Sequence, residues 1–342
     1  MIKNVIRREV EKIVKFKVAV TDYVFPDLET EKRELKKINA ELIESKGSDE
    51  ESIIEAAKDA DAILNCYAEL TPKVIESLEK CQIIARYGIG VNNVDMSSAT
   101  KKRIIVTNVP DYCIEEVSDH ALALILACTR KICQLNATVK SGKWDFKDYR
   151  PMYRLEGQTL GIISFGKIPR RLVEKVSAYK FNIIAYDPYV DKGIAAKYNV
   201  KLVTLEELLK ESDIITVHAP LTKETKGMFG SEQFKMMKDS AYLINTARGG
   251  LIKDDDLAQA VKEGELAGAG LDVLEDENVN SHHPLVNLEN VIITPHSAFY
   301  SEQALKDLQY KAVQEVVRIL TGERPKSCVN PEVLKKQIKE EK

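Results

Sequence analysis

Short runs rich in Ile, Val and Ala recur along this chain, each followed by a loop and then a charged, helix-forming stretch. Lys17–Thr21, Ala60–Cys66, Gln82–Arg86 and Arg103–Thr107 form one series. A second follows near Thr159–Ser164, Asn182–Tyr186, Asp213–His218, Ala241–Asn245, Gly268–Leu271 and Val291–Thr294. Strands that alternate with helices in this way pair in parallel and are buried on both faces, which explains why the runs are continuously apolar. Lys17–Thr21 is followed by a charged helical stretch to about Glu44, and Thr71 caps a helix that opens on Pro72. Ile114 to about Lys140 reads as one long, largely buried helix carrying Val117, Leu122, Leu124, Ile125, Leu126 and Ile132. It breaks at Ser141-Gly142 into an aromatic loop that lasts to Gly157. Ser301–Leu320 is a further amphipathic helix, stopped by Gly322 and Pro325. The pattern predicts two α/β units, the second inserted into the first if the last helix returns.

Bulk properties narrow the function classes. At 342 residues there is material for two cores, and 30% charged with 44% hydrophobic residues is a globular balance. A net charge of -3 gives no reason to expect nucleic acid or an anionic membrane as partner. Basic clusters such as Arg170-Arg171 and Lys101-Lys102-Arg103 are short and read as solvated faces. The six cysteines have no C-x-x-C or metal-finger spacing and mostly lie in or beside apolar runs, which favours a reducing, cytoplasmic setting. No apolar run is long enough for a transmembrane helix. Met1–Val14 reads as a short amphipathic extension rather than a signal or transit peptide, and Glu332–Lys342 as a fraying tail.

Leu160-Gly-Ile-Ile-Ser-Phe-Gly-Lys-Ile-Pro-Arg170 follows a strand and opens a helix. The dinucleotide fingerprint G-x-G-x-x-G falls here on Ser164, Gly166 and Pro169, so only the middle glycine is kept. Ser164 is small, and a helix's first turn tolerates Pro169. The amides near Lys167 and Ile168 can still face a phosphate. The next strand ends in Asp187, about 20 residues past Gly166, where a carboxylate accepts ribose hydroxyls and repels a 2′-phosphate. That favours NAD over NADP; the alternative is an ordinary glycine turn and a loop aspartate before Pro188.

Three more strand-like runs end on chemistry. Tyr242–Gly250 closes on Arg248, Gly268–Glu277 on a carboxylate cluster, and Val291–His296 on an imidazole. Ligands of open α/β sheets sit outside the carboxyl ends of the strands. An Arg that forks onto a carboxylate, a His that shuttles a proton and a Glu that steadies it suit reduction of a 2-keto acid. The competing readings are a capping or surface Arg248, a solvated Glu275-Asp276-Glu277 loop and a structural His296.

Taken in order, Arg86–Asp95, Val106–Pro110, Val117–His120, Leu160–Arg170, His218–Thr222, Leu243–Gly250, Gly270–Val273 and Thr294–Ala304 resemble the D-2-hydroxyacid dehydrogenase family over essentially the whole chain beyond residue 16. Pro295–Ala304 looks most like the branch containing the C-terminal-binding-protein corepressors, which carry a Trp where this chain has Phe299. The resemblance implies two Rossmann- or flavodoxin-like parallel-sheet domains. One is a substrate domain from 1–116 plus 300–342, and the other an inserted cofactor domain from 117–299. It implies homodimers built largely through the long helix after Ile114. Arg248 is then the substrate-carboxylate ligand, Glu277 the partner of the base and His296 the proton donor and acceptor. Phe165, Gly166, Lys167, Ile168, Asp187, His218, Pro220, Thr225, Thr246, Ala247, Arg248, Asp272 and His296 are implied to line NAD, with Asp272 at the nicotinamide amide. Arg86, Gly88, Ile89, Gly90, Arg248 and Phe299 are implied to meet the substrate. Two departures stand out: Asn92 for the commoner Asp in the substrate loop, and Asp119 for the commoner Glu before His120.

The expected reaction interconverts a 2-keto acid and its D-2-hydroxy acid. A neighbouring Glu277 is expected to favour the protonated imidazole that reduction needs. Two other functions compete, an NADH-sensing dimeric interaction module like the corepressors and oxidation of 3-phosphoglycerate. The intact Arg, Glu and His set argues against the first. The absence of a basic phosphate-binding cluster in the substrate half argues against the second. His120 reads as a packed or dimer-contact residue, and the adjacent His282-His283 as loop histidines rather than metal ligands. Trp144, Tyr149, Tyr153 and Phe299 either shield the pocket or pack between domains.

Overall fold

The computed structural model describes residues 15–334, so the expectations for Met1–Val14 and for most of the charged tail lie outside the described residues. The part of the tail that is described is anchored rather than frayed, because Val333 is buried. The chain forms two compact units, one running to Tyr112 and resuming at Glu302, the other Cys113–Ser301.

The first unit runs β1 (Phe16–Val20), α1 (Glu29–Lys36), β2 (Ala40–Glu44), α2 (Glu50–Ala57), β3 (Ala62–Asn65), α3 (Pro72–Ser77), β4 (Ile83–Arg86), α4 (Met96–Lys101) and β5 (Ile105–Thr107). Its sheet has the order β2-β1-β3-β4-β5 with every pairing parallel, the flavodoxin-like arrangement. β3 and most of β4 are buried on both faces, as continuous apolar runs require. Thr71 caps α3, with Pro72 in its first turn. The helix expected to reach Glu44 instead stops at Lys36. Asn39 adopts a left-handed φ of 54°, and residues 40–44 pair with β1 as an edge strand. The half-exposed Ala-Glu-Leu-Ile-Glu sequence, with both glutamates exposed, is what a sheet edge tolerates, and it reads as helix by composition.

The second unit begins with α5 (Ile114–Thr129) and α6 (Ile132–Lys140). These replace the single long helix expected. Lys131 sits at φ 51°, a left-handed residue that cannot continue a right-handed helix, and the two segments meet at 59°. α5 buries Val117, Ala121, Leu124, Ile125 and Cys128, whereas α6 buries nothing. Together they are apolar enough to pass as a bent membrane span, but no single helix is long and apolar enough to cross a membrane among the described residues.

The rest runs β6 (Thr159–Ile163), α7 (Lys167–Val176), β7 (Asn182–Tyr186), α8 (Lys192–Lys197), β8 (Lys201–Leu202), α9 (Leu205–Glu211), β9 (Ile214–Val217), α10 (Ser231–Phe234), β10 (Tyr242–Asn245), α11 (Asp254–Glu263), β11 (Gly268–Leu271) and β12 (Val291–Ile293). The sheet order is β12-β11-β10-β9-β6-β7-β8, all parallel, reversing direction between β9 and β6. β8, two residues long, is too short to leave a periodic signal in sequence. The chain then returns to the first unit with α12 (Glu302–Leu320), which packs on α1, β3 and β4.

Candidate active site

The turn after β6 is built for close approach. Ser164 takes a φ of 68°, the conformation glycine adopts at no steric cost, and its N–H donates to the Tyr186 carbonyl at 2.8 Å. Gly166 precedes α7, and no side chain caps that helix, so the first-turn amides face outward. A methyl group at Gly166 would meet nothing within 4 Å, so the space over the turn is open. Pro169 is buried in the first turn, where its missing N–H costs little.

Asp187 closes this turn from the end of β7. One carboxylate oxygen accepts the Phe165 N–H at 2.7 Å, and the other accepts Tyr189 N–H at 2.8 Å and Val190 N–H at 3.0 Å. The organising role is one that sequence reading missed, because backbone amides leave no residue pattern. His218 follows β9; burial pushes its imidazole down to about 3, so it is neutral, and Thr216 Oγ1 lies 2.9 Å from its Nε2. Thr225 folds its own loop, donating to the Pro220 carbonyl at 2.6 Å. Thr246 Oγ1 is buried with no hydrogen-bond partner, an orphan of the kind that costs about 1–3 kcal/mol. Together the uncapped helix, the open space over Gly166, the Asp187 carboxylate at the end of β7 and the orphaned Thr246 hydroxyl fit a bound dinucleotide.

Arg248, Glu277 and His296 leave three adjacent parallel strands. Asn245, Leu271 and Ile293 stand in register across β10, β11 and β12, and neighbouring strands lie about 4.8 Å apart. Arg248 and His296 each follow the last paired residue of their strand by three positions. The Arg248 carbonyl accepts Asn245 Nδ2 at 2.9 Å, and its Nη1 donates to the Ala247 carbonyl at 2.6 Å. Gly249 beside it is obligatory, since a Cβ there would lie 1.7 Å from the Leu274 carbonyl oxygen.

His296 is held in a strained backbone with φ 49°. Its N–H donates to the Asp272 carbonyl at 2.8 Å. The Asp272 carboxylate, 1% exposed, accepts the Thr294 hydroxyl at 2.6 Å and the N–H groups of Ser297 and Ala298 at 2.9 and 2.8 Å. Expected at the nicotinamide, this carboxylate builds the turn that carries His296. Because Thr294 donates to Asp272, the contact of 2.9 Å from His120 Nε2 makes His120 the donor to Thr294. His120 thus belongs to the same network. His296 Nδ1 lies 3.0 Å from both Glu277 oxygens, which assigns Nδ1 as the donor and leaves Nε2 for other chemistry. Phe299 meets the imidazole edge-on at 6.4 Å between ring centres.

The residues expected at the substrate from the first half all sit at the end of β4, in the first unit. Gly88 has φ 143°, and a Cβ there would strike Arg86 Nη1 at 1.2 Å; only glycine lets the guanidinium fold across the loop. That Nη1 donates to the Tyr87 carbonyl, while Arg86 Nε is buried and unpartnered. The carbonyls of Gly88 and Ile89 are taken by Val109 N–H and Asn108 Nδ2, and Gly90 follows directly. Sequence reading passed over the anchor beneath. The Tyr87 hydroxyl donates to buried Glu31 at 2.9 Å, and Gln309 of α12 donates to the same carboxylate at 3.1 Å. Desolvation raises the Glu31 pKa.

All six cysteines are unpaired, and burial pushes Cys66, Cys81 and Cys128 up to about 12, so these thiols are inert. No His, Cys, Asp and Glu cluster suits a metal ion among the described residues. His283, read as a loop histidine, turns inward, its Nε2 lying 3.3 Å from Asp254 Oδ2.

Residues 122–298 match the family model for the NAD binding domain of D-isomer specific 2-hydroxyacid dehydrogenases. The D-3-phosphoglycerate dehydrogenase of Methanocaldococcus jannaschii is 41% identical over 83% of this chain and 54% of its own length. The chain therefore spans about half the length of that relative. The glyoxylate reductase of Korarchaeum cryptofilum is 37% identical over 83% of this chain and 86% of its own. Among solved structures, D-lactate dehydrogenase from Aquifex aeolicus, complexed with NAD and lactic acid, superposes with a TM-score of 0.80 at 29% identity, covering 90% of this chain and 96% of that one. With two parallel α/β sheets and a dinucleotide turn in the matched region, the chain belongs to the D-isomer specific 2-hydroxyacid dehydrogenase family and carries its NAD-binding domain.

Proposed function

We propose that the protein is an NAD-dependent dehydrogenase that interconverts a small 2-keto acid and its D-2-hydroxy acid, with Arg248, Glu277 and His296 as its catalytic set. The observation that carries this reading is the imidazole of His296, paired through Nδ1 to both Glu277 oxygens at 3.0 Å beyond the end of a parallel strand. Nε2 then gives a proton to the substrate oxygen in reduction and takes the hydroxyl proton in oxidation. Arg248 binds the substrate carboxylate and fixes which face of C2 is presented. The cofactor, when bound, supplies the hydride. The amides of Gly166–Ile168 hold its phosphates and Asp187 its ribose hydroxyls, while Thr246 and His218 flank it. On this reading the second unit, Cys113–Ser301, is the cofactor domain, and the first is the substrate domain.

A cytoplasmic homodimer accompanies this reading. The exposed apolar side chains of Ile132, Val139, Trp144, Phe146 and Tyr153 lie on α6 and the segment after it, and a second copy of the chain covers them. The test of activity is a panel of 2-keto acids with NADH, followed at the nicotinamide absorbance. Glyoxylate heads the panel because the relatives matched over most of their length are glyoxylate reductases. Turnover of at least one small 2-keto acid to the D-product is expected. NADH-responsive dimerisation with no turnover across the panel would favour a sensing module instead.

A further inference from the structure

Glu277 lies on an exposed loop, and nothing in residues 275–282 is buried. An open loop of that kind does not by itself hold a carboxylate within hydrogen-bond distance of an imidazole, because the entropy of ordering it must be overcome. Both ends of this loop meet the same atom. Asp254 Oδ2 accepts the Glu275 N–H at 2.9 Å, and His283 Nε2 approaches that oxygen at 3.3 Å. The Leu285 N–H points to His283 Nδ1, which orients the ring with Nε2 as the donor toward Asp254. Asp254 itself is 6% exposed and is the first residue of α11, a few residues beyond Arg248. Between them Gly249 presses backbone to backbone against Leu274 at the root of the loop.

We propose that Asp254 and His283 are positioning residues, a staple in which one carboxylate oxygen clamps both ends of the 275–283 loop and so sets Glu277 against His296 in register with Arg248. The inference rests on the catalytic reading above, and it adds two residues that touch neither substrate nor cofactor. The groups facing Asp254 are His283 and Glu275. Burial raises the Asp254 pKa, opposed by the Glu275 N–H and by His283. Holding a carboxylate in such a site makes sense if it is needed for two hydrogen bonds at once.

The test compares Asp254→Ala, Asp254→Asn, His283→Ala and His283→Gln with the unaltered chain, each also in a Glu277→Gln background. Two readouts are used, steady-state kinetics with NADH and the best 2-keto acid, and amide hydrogen exchange. Asp254→Ala is expected to lower kcat about tenfold or more, the size expected when a catalytic group is displaced by a fraction of an ångström, with the KM for NADH unchanged. In the Glu277→Gln background the same change has no further effect on kcat, since the staple acts only through Glu277. His283→Gln, which keeps a donor, retains most of the activity. Exchange quickens over 275–283 while β6, β9 and β10 stay protected. If Asp254→Ala fails to fold, Asp254→Asn and His283→Ala carry the comparison, each expected to lower kcat only where Glu277 is intact. Equal losses with and without Glu277, or a faster-exchanging loop with unaltered kcat, overturn the proposal. If the unaltered chain reduces no 2-keto acid, the catalytic reading falls instead. Exchange then decides the staple alone, with faster exchange confined to the loop supporting it and unchanged exchange overturning it.

Discussion

His296 carries a left-handed backbone that a non-glycine residue adopts at a cost of about 1–3 kcal/mol, and the cost is met by its surroundings. Asp272 accepts the N–H groups of Ser297 and Ala298, the two residues after His296, and Thr294 ties that carboxylate to His120 on α5. The strain sits at the residue proposed to move the proton. Gly249 shows the same economy in reverse, since its missing side chain makes room for the Leu274 carbonyl. Gly249→Ala is expected to destabilise the fold by about 1–3 kcal/mol through overpacking, visible as a lower urea midpoint. His218 sets a pH dependence. Its pKa falls from 6.5 to about 3 on folding, so the unfolded chain binds a proton that the folded one refuses. The stabilisation is complete above pH 6.5 and is lost as pH falls toward 3, by at most about 1.4 kcal/mol per pH unit. The thermal midpoint should drop between pH 7 and pH 5, and His218→Asn should flatten that slope. An equal slope in the variant would assign the acid sensitivity to other groups.

At the scale of elements, α5 and α6 differ more than their sequences suggest. α5 is packed into the second unit, whereas α6 leaves Ile132 and Val139 exposed and leads to Trp144, which is 91% exposed. If a second copy covers this stretch, Trp144→Asp should shift the protein from dimer to monomer in sedimentation. A dimer of unchanged strength would remove this face from the interface. These elements also mark how far the residues spoke for themselves. The buried strands were legible because a strand covered on both faces must be apolar throughout, and Thr71-Pro72 announced α3 because capping chemistry is local. β2 was not, because glutamates three residues apart suit one face of an exposed helix as well as they suit an edge strand. The break at Lys131 was hidden too, since nothing in its side chain requires a positive φ.

For the molecule as a whole, strand order decides what can meet. Parallel pairing of β10, β11 and β12 sets side by side the ends of runs separated by dozens of residues, so the proposed set of Arg248, Glu277 and His296 starts from adjacent strands. The supports of that set were invisible, because Asp254, Asp272 and Asp187 act on backbone amides that carry no sequence signature. The departures at Ser164 and Pro169 are accommodated by local geometry rather than by a different fold. The role proposed for Asp187, holding the ribose hydroxyls, predicts selectivity between cofactors. NADH at a hundredfold excess over its Kd should stabilise the protein by about 2.7 kcal/mol, and NADPH at the same concentration by markedly less. Equal shifts in thermal midpoint would show that Asp187 does not discriminate.

The most direct measurement is on His296→Ala, with kcat for reduction of the best 2-keto acid and the Kd for NADH determined on the same preparation. A loss of about 10²–10⁴ in kcat with NADH affinity intact is predicted for a residue that supplies the proton. Turnover within a few-fold of the unaltered protein would contradict the account.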